Sequence, residues 1–429
     1  MTNESPLVAG SSGAPAPGPE GPPNPPRGFV ARSWLLLLLL GLTGFLFRFD
    51  RQVFSILKAT MSLDLGLSNT DYSLLVTAFM VPYTAGYLFS GQIVDRWGTQ
   101  RTLWLFVIGM SLSTAVLGLT RNFTGLLIAR MMLGIAAAGV MPAVLVAITH
   151  WFPLEMRATA FTLQSAIHNC GAILAPPLVA GITLLAGWPA AFVVPGLLGF
   201  LIALALRLTD VRVPARPSRG SPPAAWREMF RHPPLRRLIL ARMCSDPFWF
   251  FLFYWQSAYL QERVGLTLAD LGTWTWIPPA FSVAAALVLG RVNDRLIHAG
   301  GQPLPTRLRL LGAITLVAPL SFLLPWLDAP LASVGALTLV YTMCNAWLLL
   351  TNMAVTDIMP ARSVGAACGL VSACGGTTSI LFNLASGPLI DAFGHTAVLT
   401  AGALMHPCAW LILRRLDSGR ARGPAAAAG

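Results

Sequence analysis

The sequence predicts an all-α membrane protein: twelve transmembrane helices arranged as two pseudo-symmetric six-helix bundles. Three observations carry this. The 429 residues are 55% hydrophobic and only 11% charged, less than half the ~25% charged content usual in soluble domains. Twelve apolar segments follow one another, each of about the length that crosses a bilayer. A loop motif after the second segment returns after the eighth, 199 residues later.

The segments run over residues 33–57, 72–94, 102–120, 124–150, 159–186, 189–208, 235–261, 270–293, 308–327, 330–352, 363–390 and 394–413. The net charge of +12 would suggest nucleic acid in a soluble protein. Here it comes from arginines in alternate loops, such as Arg96 and Arg101, Arg157, Arg212 to Arg237, and Arg291 to Arg309. The loops between carry few cations: Lys58, Arg121 and Arg263. Basic loops stay inside, so both termini are expected in the cytoplasm; the preponderance of arginine over the single Lys58 and the absence of long extracellular loops point to a bacterial inner membrane. Residues 1–29 are rich in Pro, Gly and Ser and are expected to form a disordered cytoplasmic tail. The first bundle is expected over 30–208, a cytoplasmic linker over 209–234 with a short surface helix at 224–231, the second bundle over 235–414, and a second tail over 415–429. The six cysteines lie in or beside spans without metal-ligand spacing. The expectation is no metal and no cofactor.

The repeat is Gly91-Gln92-Ile93-Val94-Asp95-Arg96 against Gly290-Arg291-Val292-Asn293-Asp294-Arg295. A weaker echo joins Pro153 to Arg157 with Pro360 to Arg362. Glycine lets helices approach closely, and an Asp–Arg pair at helix ends can latch one bundle to the other. The stretch Gly91-x-x-x-Asp95-Arg96-Trp97-Gly98-x-x-Arg101 resembles the signature loop of the major facilitator superfamily. Gly91, Asp95, Arg96, Arg101, Gly290, Asp294 and Arg295 are therefore expected to form gates.

Arg48-Phe49-Asp50-Arg51 interrupts the first span. Each charge at mid-membrane costs at least ~2.5–3.5 kcal/mol on insertion scales, and such residues commonly serve ion or substrate paths. Arg suits a carboxylate because its planar fork can bond both oxygens, so Arg48 and Arg51 point to an anion. The competing reading is an Asp–Arg pair that neutralises itself at a helix end. Tyr83, Gln164, His168, Tyr254, Gln256 and Asn383 are polar groups in other spans that can bind hydroxyls, or can equally be satisfied in helix packing.

Asp50-Arg51-Gln52-Val53-Phe54-Ser55, Asp246-Pro247-Phe248-Trp249 in the seventh span and Leu381-Phe382-Asn383 in the eleventh resemble the anion:cation symporter family, most of all its hexuronate and sugar-acid transporters. The resemblance covers residues 30–415. It implies import of an organic anion with protons, Asp50 taking the proton, Arg51 holding the carboxylate, and Tyr83, the region of His168 and Gln164, and Asn383 contacting substrate. Many relatives place a glutamate in the fourth span before the proline. Here Gly134 to Pro142 has no carboxylate, and His168 is the candidate to replace it, since histidine titrates near neutrality. The partners implied are a small organic anion, protons and the lipid bilayer, with no nucleic acid, for a monomer.

No nucleophile elbow, P-loop or metal-spaced His cluster occurs, so an enzyme is not expected. An aliphatic mono- or dicarboxylate carrier, a small-molecule exporter and a transporter-like receptor stay open as alternatives.

Overall fold

The computed structural model describes residues 29–209, 226–360 and 363–416. The expected tails over 1–28 and 417–429, most of the linker and Arg362 lie outside the described residues.

The described chain is helical. The first half contains α1 (Phe29–Ile56), α2 (Lys58–Leu65), α3 (Asn69–Trp97), α4 (Thr99–Leu119), α5 (Phe123–Ala138), α6 (Val140–Trp151), α7 (Leu154–Ala186) and α8 (Ala190–Leu208). After the short α9 (Trp226–Arg231) come α10 (Pro233–Glu262), α11 (Leu268–Trp274), α12 (Ile277–His298), α13 (Pro303–Thr315), α14 (Leu320–Leu323), α15 (Pro330–Ile358), α16 (Val364–Phe393) and α17 (His395–Leu413).

Among the described residues, ten segments are long and apolar enough to cross a membrane. The 29-residue α3 and the 30-residue α10 fill the places of the second and seventh spans. At 1.5 Å per residue each is long enough to cross; both are more polar because they carry site residues. Three predicted spans are broken. The fourth pauses at Gly139 between α5 and α6, the eighth at Thr275-Trp276 between α11 and α12, and the ninth is α13 and α14 followed by a 3-10 turn at Leu324–Trp326. Periodicity does not see such breaks because the chain stays apolar through them. Exposed leucines such as Leu185, Leu204, Leu208 and Leu316 stud the outer faces. In water so much exposed apolar surface would be exceptional; in lipid it is the ordinary outer coat.

The duplication is visible in backbone detail. Gly66 and Gly265, 199 residues apart, both have positive φ, 65° and 80°. Each precedes a capping box: Ser68 with Asp71 at the start of α3, Thr267 with Asp270 at the start of α11. The hydroxyl accepts from the N3 amide while the aspartate accepts from the cap amide, satisfying two orphan donors. Within the first half α1 packs on α7, α3 on α5 and α4 on α8. Apolar helices gain nothing by leaving lipid for one another, so close contact rests on small residues. A methyl group at Gly171 of α7 would collide with the Phe45 carbonyl of α1.

The two bundles meet unequally. On the face opposite the linker, called here the far face, polar groups bridge them. Lys58 pairs with Glu262, whose Oε2 lies 3.0 Å from His395 Nε2. Lys58 also donates to Asn69. Asp391 of α16 accepts from the Asn69 and Thr70 amides at 3.2 and 2.9 Å and from the Thr70 hydroxyl at 2.6 Å, placing a carboxylate at the positive end of α3. Deeper in, Ser55 and Tyr72 both donate to the Tyr254 carbonyl at 2.9 Å. On the linker face Arg96, Arg101, Asp294 and Arg295 are exposed, and among the described residues no ion pair joins them to the other bundle. The surroundings of Gly91 and of the Asp95 side chain are outside what is described. A Cβ at Gly290 would meet open space. Polar contacts therefore close the far face, while the residues Tyr87, Arg242 and Gly369, in the linker-side parts of α3, α10 and α16, line a cavity between the halves that reaches towards the linker face.

Lys58 is only 3% exposed, and its pair with Glu262 joins the two bundles at this face. Glu262→Gln removes the charge that Lys58 and His395 share. With Glu262 itself partly exposed, the expected loss is about 1–2 kcal/mol, roughly tenfold in the balance between this state and one open at the far face. Electron-resonance distances between labels on the linker-face loops after α3 and α12 should shorten in population; an unchanged distribution would mean that the pair is not a latch.

Candidate functional site between the bundles

A cavity of about 270 Å³ lies between the halves, near the lower end of the ~300–1,000 Å³ range of small-molecule sites. It is walled by α1, α3 and α6 from the first half and by α10, α15 and α16 from the second. Its polar lining is Arg51, Tyr83, Thr84, Tyr87, Arg242, Asp246, Tyr254, Asn352 and Ser372; Phe79, Met80, Met141 and Phe250 form its apolar part.

Arg51 is buried and lines this cavity. Its guanidinium sits over three rings, Tyr83 at 4.2 Å, Phe47 at 4.5 Å and Phe79 at 4.9 Å. These faces stabilise the cation without neutralising it. No carboxylate pairs with it among the described residues, and its Nε has no protein partner. The self-neutralising Asp50–Arg51 pair does not form. Asp50 turns away into the first bundle, where its Oδ2 accepts from the Thr114 hydroxyl at 2.8 Å and its Oδ1 has no hydrogen-bond partner.

Arg130, on α5, is the countercharge near Asp50. It is fully buried, donates from Nε to the Leu75 carbonyl at 3.1 Å, and stacks over Phe54 at 4.0 Å and Phe79 at 4.7 Å. Both its terminal nitrogens lack a hydrogen bond of good geometry, although the Tyr254 hydroxyl is near enough to interact with the guanidinium. Phe79 thus lies under both Arg51 and Arg130.

The other expected site residues divide. Tyr83 and Tyr254 line the cavity. Arg48 does not. It stacks 5.0 Å over Phe253 and lines a separate pocket of about 30 Å³ with Asn169, Ser282, Tyr341 and Asn345. His168 lies against Phe47, ring centroids 6.0 Å apart, beside Gly44, and Gln164 is buried one turn earlier. Neither borders the main cavity. Asn383 is fully buried; its Oδ1 accepts from Trp255 Nε1 at 3.0 Å and its Nδ2 donates to the Ser379 carbonyl at 3.3 Å. It spends its polar groups joining α10 to α16. Gln256 is buried towards the far end of α10 and is likewise off the cavity.

Two features escaped the sequence reading. Arg130 interrupts the fourth span as plainly as Asp50 interrupts the first, and that signal was available. Arg242 and Asp246 stand four apart on α10, the spacing that brings helix side chains together. Arg242 Nε donates to both Asp246 oxygens, at 2.6 and 2.8 Å.

Two bundles of membrane helices around a central cavity, with polar groups converging from both, are the architecture of a membrane transporter rather than an enzyme. Residues 40–380 match the Major Facilitator Superfamily, and the chain belongs to that superfamily. It is 30% identical over 311 residues to a probable L-galactonate transporter of Escherichia coli K12, covering 66% of this chain and 68% of that one. It is 23% identical over 396 residues to the hexuronate transporter of the same organism, covering 86% and 90%. Among solved structures it is similar to a bacterial homologue of the human lysosomal transporter Spinster in an inward-facing, unoccupied conformation, with TM-score 0.71, 19% identity and coverage of 90% and 95%.

Proposed function

We propose that the protein imports a small organic anion, a sugar acid of the hexuronate or aldonate type, by proton symport and alternating access. The carrying observation is Arg51: a buried guanidinium on the cavity wall, held by aromatic faces and left without a carboxylate. An anion from solution completes it, and a planar carboxylate matches its fork. The hydroxyls of Tyr83, Thr84, Tyr87, Tyr254 and Ser372 and the amide of Asn352 suit a substrate rich in hydroxyls. The galactonate and hexuronate transporters among the relatives support the same class.

Asp50 is the proposed proton site of the first bundle. It shares the buried interior with Arg130 and is next to Arg51 in sequence, so a change of its charge is felt where substrate binds. The linker face is taken as cytoplasmic, in a bacterial inner membrane with both termini inside, and the transporter as a monomer. Asp95, Arg96, Asp294 and Arg295 are the proposed inner gate, engaged when the far face opens.

The test is uptake into proteoliposomes of galacturonate, glucuronate, gluconate, lactate and succinate, with and without an inward proton gradient. Gradient-stimulated uptake of a sugar acid is expected. Uptake of lactate or succinate alone would replace the sugar acid by an aliphatic carboxylate, and indifference to the gradient would remove proton coupling.

A further inference from the structure

We propose that Arg242 and Asp246 form a second anion subsite, facing Arg51 across the cavity, which accepts a second acidic group when Asp246 takes up a proton. The inference rests on the anion-transport reading above and extends it to the substrate's other end.

Asp50 and Asp246 are the two carboxylates buried within the spans among the described residues. Only Asp246 borders the cavity, which reaches towards the linker face and so towards water and protons. Arg242 is held twice. Besides the Asp246 oxygens, its Nη1 donates to Asn352 Oδ1 at 2.7 Å and lies 3.4 Å from the Thr351 hydroxyl, both on α15. Loss of the Asp246 charge therefore leaves the guanidinium in place, and no protein group among the described residues bonds its Nη2. The carboxylate is fixed from the other side by α16: the place of a side chain at Gly375 is filled by Asp246, and a Cβ there would fall on its Oδ2. The pair is built into the wall by two neighbouring helices.

The other titratable groups around it are few. Cys344 of α15 is near Asp246 and Cys368 of α16 near Arg242. Across the cavity stand Arg51, Tyr83 and Tyr87, with Tyr254 further along α10. From α17, His406 packs on Phe248 and Trp347. With Asp246 ionised, the cavity wall carries Arg51, Arg242 and one carboxylate, a net single positive charge. A uronate, with one carboxylate, balances it. An aldarate, with a carboxylate at each end, exceeds it by one. The incoming second carboxylate and ionised Asp246 are like charges at one site, which disfavours both being ionised, so the second carboxylate enters with a proton. That proton is given up by a buffer acid of the solution and relayed through the open cavity; it forms an O–H bond on Asp246 and leaves Arg242 a cation facing the new anion. On release into the cell both depart and the Arg242–Asp246 pair closes again.

The experiment compares galactarate with galacturonate on the purified full-length protein, reading protons taken up per ligand by calorimetry in buffers of different ionisation enthalpy. Galactarate is expected to bind with one proton more. Its affinity relative to galacturonate then falls about tenfold per pH unit between pH 7 and 8. In Asp246→Asn the two acids bind with equal proton uptake, whereas in Asp50→Asn the difference persists. If that Asp246 variant does not fold, the wild-type proton difference and pH slope decide alone. Equal proton uptake by the wild type, or a difference that survives in Asp246→Asn, overturns the subsite while leaving the sugar-acid reading intact. Binding of neither acid overturns both.

Discussion

Arg51→Ala is expected to abolish saturable uptake of sugar acids at micromolar concentrations while leaving the protein folded. The side chain contributes no ion pair to the bundle, and its aromatic contacts with Phe47, Phe79 and Tyr83 are each worth about 0.5–2 kcal/mol. What is lost is the charged partner of the substrate. Hydrogen bonds to charged groups contribute about 1.5–3 kcal/mol, so affinity falls roughly tenfold to more than a hundredfold. Arg51→Lys keeps the charge and loses the fork, and should fall between. Binding is read by ligand-dependent thermal shift and uptake in proteoliposomes. Affinity in Arg51→Ala within twofold of the parent would remove Arg51 as the anchor.

Asp50→Asn is expected to separate exchange from accumulation. The amide fills the same space and can still accept the Thr114 hydroxyl bond seen at 2.8 Å, so the bundle can still rock with substrate aboard. It cannot carry a proton. Counterflow of labelled galacturonate should persist, while concentration driven by an inward proton gradient should fall to the level without a gradient. The exchange leaves Arg130 without its buried countercharge. The two form no ion pair, so the cost is that of losing a nearby buried opposite charge; a modestly lowered melting temperature is expected too, partly restored by combining it with Arg130→Gln. Unchanged gradient-driven accumulation by Asp50→Asn would end the coupling assignment. His168→Ala tests the competing proton site: packed against Phe47 and off the main cavity, it should leave accumulation within a factor of about three.

Arg48 and Arg51 are three residues apart and share a helix face, which made them equivalent candidates. Their long side chains part: Arg51 lies over Tyr83 on α3, while Arg48 reaches Phe253 and Tyr341 in the second half. Asn383 looked like a substrate group because polar residues in membrane spans usually have a function. Its function is a hydrogen bond to Trp255, 128 positions away, and no local pattern announces such a partner.

What the sequence by itself determined was the architecture. A bilayer forces spans of fixed length, basic loops mark one face, and a duplicated loop marks two halves; these are short-range or compositional facts, written along the chain. It also exposed Asp50 and Arg51 as costly intramembrane charges, and the same test would have caught Arg130, Arg242 and Asp246. Only the tertiary structure decided which of these charges meet the cavity, that Arg51 is left unpaired while Arg242 is paired, and that Lys58, Glu262 and His395 close the far face. Those outcomes depend on residues such as Lys58 and Glu262, 204 positions apart, whose juxtaposition comes from how two bundles dock, and docking is set by packing across the whole interface.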